Sequence, residues 1–154
     1  MVFEIGDWTQ AEALEFTTRE WAAHPEPPEV VWAPFDVVLV ARRAPDEVAI
    51  GAAFGVVIGG VGELKQLLVR HGDDRKGVGS ALLREFERRC RERGCHALRL
   101  ETGDYQARPF YERHGFGVAA ALANDRFGRT VFIMTKPLQA QFQGATTAPS
   151  HVVR

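Results

Sequence analysis

The sequence predicts an α/β (α+β) protein built on a mixed, mostly antiparallel sheet. Three observations predict it. Alternating, β-branched stretches at 36–41, 48–58 and 63–69 follow each other through short polar or glycine turns, the pattern of an antiparallel meander. A helix-period segment then separates the stretch at 63–69 from one at 97–101, which makes a strand–helix–strand crossover and a parallel pair. A last pair of short strands is expected at 116–118 and 130–134.

The 154 residues fit one domain, expected over 1–138, with a loose tail over 139–154. Val2 to Ile5 reads as a short strand. Thr9 and Glu12 fit a capping box for a helix running to about His24, with Ala13, Leu14, Phe16 and Trp21 facing inward and the prolines at 25, 27 and 28 ending it. Arg42 to Glu47 and Gly59 to Gly62 are turns. Leu82, Leu83, Phe86 and Cys90 form the apolar stripe of the crossover helix, which Gly94 ends. A short helix is expected from Gln106 to His114, ended by Gly115. The segments show no internal repeat.

Composition narrows the function. Apolar residues are 45% and charged residues 25%, and 19 basic side chains against 20 acidic ones leave a net charge of −1. That balance speaks against nucleic acid or an anionic membrane as partner. The longest uncharged run, Val48 to Gly62, is too short for a membrane span and holds five glycines. The start, Met1-Val2-Phe3-Glu4, lacks the pattern of a signal peptide, so a cytoplasmic location is expected. Cys90 and Cys95 form no metal-ligand spacing and read as reduced thiols, so no metal is expected. Arg84 to Arg93 is basic, but Glu85–Arg89 and Glu87–Arg91 stand four apart, the pattern of a solvated helix face. His71, His96 and His114 read as surface or loop residues.

The stretch from Leu67 to Ser80 carries the chemistry. It places Gly77 and Gly79 at a helix start, where backbone N–H groups lack partners and the helix dipole favours an anion. Without Cβ atoms there, a diphosphate can approach the main chain, and Arg75 and Lys76 add positive charge. A Walker loop is rejected, because Val78-Gly79 follows Gly77 where Lys and Ser/Thr are needed. A dinucleotide fingerprint lacks its third glycine, since Leu82 stands there, and seven residues separate the strand from the loop; Glu101 in a ribose-binding position keeps that reading open.

Asp74-Arg75-Lys76-Gly77-Val78-Gly79, following the strand that ends at Val69, resembles the acyl-coenzyme A loop of the GNAT superfamily of N-acetyltransferases, Gln/Arg-x-x-Gly-x-Gly/Ala. Asp74 departs from that pattern: either it points away from a diphosphate or Arg75 takes over the cationic role. A second stretch, Asp104-x-x-Ala107-x-x-x-Tyr111-x-x-x-Gly115-Phe116, resembles the family's Asn-x-x-Ala-x-x-x-Tyr-x-x-x-Gly-Phe, with Asp104 in place of Asn.

The resemblance implies a GNAT-like sheet with helices on both faces and a parallel pair, the family's fourth and fifth strands, that splays apart to admit acetyl-CoA as co-substrate. It implies that the main chain of Leu67, Leu68 and Val69 pairs with the pantetheine arm. The segment from Arg75 through Lys76, Gly77, Val78 and Gly79 to Ser80 would hold the diphosphate, and Asp104, Ala107 and Phe110 would add further contacts. Tyr111 is the implied general acid for the departing thiolate, and the Val69 N–H the implied oxyanion donor. Glu63 is the candidate base, placed by alternation on one face with Lys65, Leu67 and Val69. Glu101 or a water chain is the alternative base, and Tyr105 can reach ligand.

The expected activity is transfer of an acetyl group to a primary amine, of a small-molecule acceptor in preference to a protein, with a homodimer expected from family habit. Trp21, Trp32 and Phe35 are placed in the core by default and at the acceptor site otherwise. A non-catalytic acyl-CoA module and a nucleotide-diphosphate-binding protein are the competing readings.

Overall fold

The computed structural model describes residues 4–24, 26–28 and 30–138. The chain divides into two compact units, residues 1–31 and 32–154.

The first unit holds α1, Gln10–Trp21. Thr9 caps it as expected: the Glu12 N–H donates to the Thr9 hydroxyl at 3.3 Å and the Thr9 N–H to the Glu12 carboxylate at 2.8 Å. The helix ends three residues earlier than expected, and none of its residues is buried, Leu14 and Trp21 included. Trp8 packs edge-on against Phe16, with ring centroids 5.4 Å apart. Glu4 and Ile5 are not in a strand, and Val2 and Phe3 lie outside the described residues, as does the segment 139–154.

The second unit is a six-stranded sheet. Its elements are β1 (Phe35–Arg43), β2 (Val48–Ile58), β3 (Val61–Val69), α2 (Val78–Glu92), β4 (Ala97–Gly103), α3 (Arg108–Arg113), β5 (Gly117–Leu122) and β6 (Val131–Pro137). The strand order is β1-β2-β3-β4-β6-β5, with β3 and β4 parallel and every other pair antiparallel. The apolar stripe of α2, Leu82, Leu83, Phe86 and Cys90, is buried. It packs with Ala53, Leu64, Leu98, Leu100, Met134 and the α3 residue Tyr111 in one core. Burial of such side chains contributes roughly 1.5–3 kcal/mol each.

The sheet admits α2 closely because Gly55 has no side chain. A Cβ there would stand 2.8 Å from the Phe86 ring and press on the Glu63 carbonyl oxygen. Phe132 and Lys136 occupy alternate positions on β6 and so share a face. Lys136 Nζ reaches Glu87 of α2 at 2.7 Å, and Arg108 of α3 lies over the Phe132 ring. Helices α2 and α3 therefore cover the same sheet face.

Two features of β3 position the site. First, β3 pairs with β4 only from Val61 to Leu64, against Ala97 to Leu100, so the two strands part beyond that point. Second, Leu64 pairs with Gly55 and Gln66 with Phe54, which leaves Lys65 as an extra residue. A bulge of this kind reverses which side chains face the core. Gly62 and Leu64 face α2 before it; Leu67 and Val69 face α2 after it. Glu63 therefore stands on the face opposite Leu67 and Val69, not with them as simple alternation predicts.

The helix face Arg84–Arg93 is laced as expected: Arg89 and Arg88 reach Glu85 at 2.7 Å, and Arg91 reaches Glu87 at 2.7 Å. Cys90 and Cys95 are free and buried. Trp32 is exposed, and Phe35 lies beneath the Arg93 guanidinium, 3.0 Å from ring centroid, so neither joins the core. Among the described residues no helix is long and apolar enough to cross a membrane.

Candidate active site

Where β3 and β4 part, a cleft of about 670 Å³ opens between β3, the loop before α2, the first turn of α2, and α3. Its β3 wall is main chain. The Arg70 N–H donates to the Ile50 carbonyl at 2.8 Å, which fixes the phase of the ladder. With Gly51 paired to Val69 and Ala53 to Leu67, the amide groups of Leu68 and Arg70 turn toward β2, and those of Leu67 and Val69 turn toward the gap. No β4 residue pairs with them. These are the polar groups an extended amide chain can satisfy.

The floor is the start of α2. Gly77 is its N-cap at φ 84, a left-handed conformation that favours glycine, and no side chain caps the helix. The Ala81 N–H closes on the Gly77 carbonyl at 2.9 Å, so the amides before it are left open. The missing side chain of Gly79 keeps space among Val69, Leu67 and Phe110; a Cβ there would stand 3.5 Å from Val69 Cγ2 and 3.6 Å from Phe110 Cζ.

The loop is held from one side. Asp73, a buried acid, accepts from Arg70 Nε at 2.7 Å and from Lys76 Nζ at 3.0 Å. These partners, Lys76 foremost, hold its carboxyl below the usual range. Lys76 is thereby spent on the loop and does not line the cleft. Val78 packs its side chain inward and does not line it either. Asp74 turns its carboxylate to the Gly72 N–H at 3.2 Å and still lines the cleft, beside Arg75, which has φ 60 and no ion pair among the described residues.

The third wall is α3. Ala107 caps it, and Phe110 and Tyr111 line the cleft. Tyr111 is buried, with its ring edge-on to Phe110 at 5.2 Å and Phe116 at 5.9 Å. Burial pushes its phenol pKa up. His114 is not a bystander: its Nε2 lies 3.0 Å from the Ser80 hydroxyl, and its Nδ1 lies 2.8 Å from the Phe110 carbonyl oxygen. Arg113 also lines the cleft. Its position three residues after Phe110, on one side of a helix, was the available signal for it.

Ten of the expected residues therefore meet at one cleft: Leu67, Leu68, Val69, Arg75, Gly77 and Gly79, with Ser80, Ala107, Phe110 and Tyr111. Asp104 does not. Its carboxylate takes a 2.7 Å bond from Arg129 Nε, which lowers its pKa and pins the β4 end to the segment before β6. Glu63 does not either; on the opposite sheet face it pairs with Lys65 Nζ at 2.8 Å. Tyr105, an exposed ring at the end of β4, is approached by the Arg129 guanidinium.

Known proteins share this architecture. The model of the acetyltransferase (GNAT) family matches residues 5–116. An IAA acetyltransferase of Azospirillum brasilense is 40% identical over 80 residues, 51% of this chain and 52% of that protein. A blasticidin-S acetyltransferase of Streptomyces morookaense is 38% identical over 73 residues, 47% of this chain and 54% of that protein. The match thus spans about half the length of these curated relatives. A crystal structure of an acetyltransferase from Bacillus cereus superposes with a TM-score of 0.77 at 23% identity, covering 88% of this chain and 98% of that one. The PaiA N-acetyltransferase from Thermoplasma acidophilum, solved in complex with coenzyme A, superposes with a TM-score of 0.57 at 22% identity, covering 83% of this chain and 70% of that one. With the family model spanning 112 residues that include the whole of the cleft, the chain belongs to the GNAT acetyltransferase family.

Proposed function

We propose that the protein transfers an acetyl group from acetyl-CoA to the primary amine of a small molecule, by direct attack with both substrates bound. The observation that carries this reading is the cleft itself: an unpaired strand edge at Leu67 and Val69, an uncapped helix start at Gly77, and the Tyr111 phenol share one opening. Acetyl-CoA bound there supplies an activated acyl thioester. The residues then have separable tasks.

The main chain of Leu67 and Val69 pairs with the amides of the pantetheine arm, as an added strand would. The open amides at the start of α2 and the Arg75 guanidinium offset diphosphate charge. The Val69 N–H is the donor for charge that develops on the acyl oxygen. Tyr111 holds its proton at neutral pH, because burial disfavours the phenolate, and releases it to the departing thiolate. Glu63 faces the opposite side of the sheet one rung before the last, Leu64–Leu100, and Glu101 lies just past that last rung. Either can take the amine's proton, directly or through water, while the carrier occupies the α2 side. The neutral balance of the chain and its paired surface charges favour a small acceptor over a polyanion, and its two free thiols suit a cytoplasmic setting.

The test is thiol release from acetyl-CoA with a panel of amines, together with melting temperature. We expect acetyl-CoA to raise the melting temperature and at least one amine to release CoA. A rise without release from any amine would leave only a carrier-binding module. No rise at all would remove the acyl-CoA reading.

A further inference from the structure

The face of the sheet turned away from α2 and α3 carries a second constellation. One rung before the last that joins β3 to β4, Glu63, Arg99 and Thr135 are in-register neighbours on three adjacent strands, so their side chains stand side by side. Glu101 follows two residues further along β4 on the same face. Glu63 is taken by Lys65 Nζ at 2.8 Å, and Glu101 by Arg126 Nη2 at 3.2 Å. Arg99 shares Glu101 with Arg126. Its Nη2 stands 3.5 Å from Glu101, and its Nε is closed off from solvent without an acceptor.

Three cations thus meet two carboxylates, and each carboxylate is matched by a cation other than Arg99. An arginine presents five N–H donors in a rigid fork whose geometry fits a carboxylate. The Arg99 side chain is 44% exposed, so its outer N–H donors are open to an anion that arrives on this face. The diphosphate of a carrier is not that anion, because its cradle lies on the other face, at the start of α2. What remains is an anionic group on the molecule that enters the fork from this side.

We propose that Arg99 is a specificity-determining residue that binds the carboxylate of the acceptor, and that the acceptor class is amino acids, molecules with both an amine and a carboxylate, in preference to simple amines. The proposal rests on the acetyltransferase reading above. Arg99 holds the carboxylate at the base of the fork, while the amine reaches the gap beside the Glu63 and Glu101 carboxylates.

The experiment compares CoA release for a set of amino acids, each paired with its own neutral carboxamide. We expect kcat/KM to favour the acid over its amide by about 10- to 100-fold. Arg99→Met should bring that ratio toward one, and Arg99→Lys should restore part of it. A second readout needs no turnover: titrating the preferred amino acid into 15N-labelled protein without acetyl-CoA should shift the Arg99 Nε–H resonance. The proposal is overturned if acids and amides are used equally, or if Arg99→Met leaves the ratio as it was. Absence of CoA release with any amine would defeat the acetyltransferase reading instead; the Nε–H titration then decides the carboxylate site alone, and no shift overturns it. The same titration decides the matter if the Arg99 variants do not fold.

Discussion

The Ser80 hydroxyl lies 3.0 Å from His114 Nε2, which ties the first turn of α2 to the end of α3. The two helices that wall the cleft are thus joined by one side-chain bond across 34 residues of sequence. Removing either partner should loosen both walls together. A double-mutant cycle with Ser80→Ala and His114→Ala should give a coupling energy of about 0.5–1.5 kcal/mol by urea unfolding. The doubly substituted protein should also bind acetyl-CoA several-fold more weakly by calorimetry.

Tyr111→Phe keeps the ring and its packing on Phe110 and Phe116 but loses the phenol proton. Turnover should fall by about 100-fold or more, with acetyl-CoA affinity nearly unchanged. Burial raises the phenol's pKa above its ordinary value of 10.0, so the protonated donor persists through neutral pH and is lost only as pH rises past that raised value. The alkaline limb of kcat should lie above 10.0 in the parent and vanish in the variant. Full turnover in Tyr111→Phe would strike it from the chemistry.

Asp73 anchors the cradle loop through Arg70 and Lys76. Asp73→Asn removes the charge that both cations face while keeping the shape. The released Lys76 is free to approach an anion, but the loop loses its fixed path. We expect a several-fold weaker affinity for acetyl-CoA with kcat little altered; tighter binding would mean that the loop needs no anchor.

Glu85 lies between Arg88 and Arg89, whose bonds bring its pKa down from 4.5 to about 2. A lowered folded-state pKa means that the folded chain binds fewer protons than the unfolded chain, so this contribution is present above 4.5 and is lost as pH falls toward about 2. Asp73 and Asp104 shift in the same direction. Melting temperature should drop steeply through that window, less steeply in Glu85→Gln and in high salt, which screens exposed charge.

Gly55→Ala would drive a Cβ against the Glu63 carbonyl and the Phe86 ring. Backbone on one side and a buried aromatic on the other leave little room to relax. A loss of about 3 kcal/mol, or failure to fold, is expected. A variant as stable as the parent would show that β3 can shift at its bulge.

Much of this was readable from residue order. The meander, the crossover helix with its stripe of Leu82, Leu83, Phe86 and Cys90, and the glycine loop are local patterns, set by side-chain period and by backbone freedom at Gly77. The wall of Leu67 and Val69 was implied by the resemblance to the family. The Ser80–His114 bond was not readable, because it depends on how two helices far apart in sequence come together.

Glu63 marks the boundary. Residue order by itself determined that an acid lies on this strand, six residues before Val69, and that a glycine-floored cradle and a tyrosine follow downstream. The tertiary structure alone decided which side that acid faces. The reason is that a bulge is a property of two paired strands: Lys65 is surplus only because Gly55 and Phe54, on β2, leave it no partner. A single-residue surplus reverses every later side chain, so it placed Glu63 with Arg99 and Glu101 on one face and left the cleft beside α2 and α3 to the other.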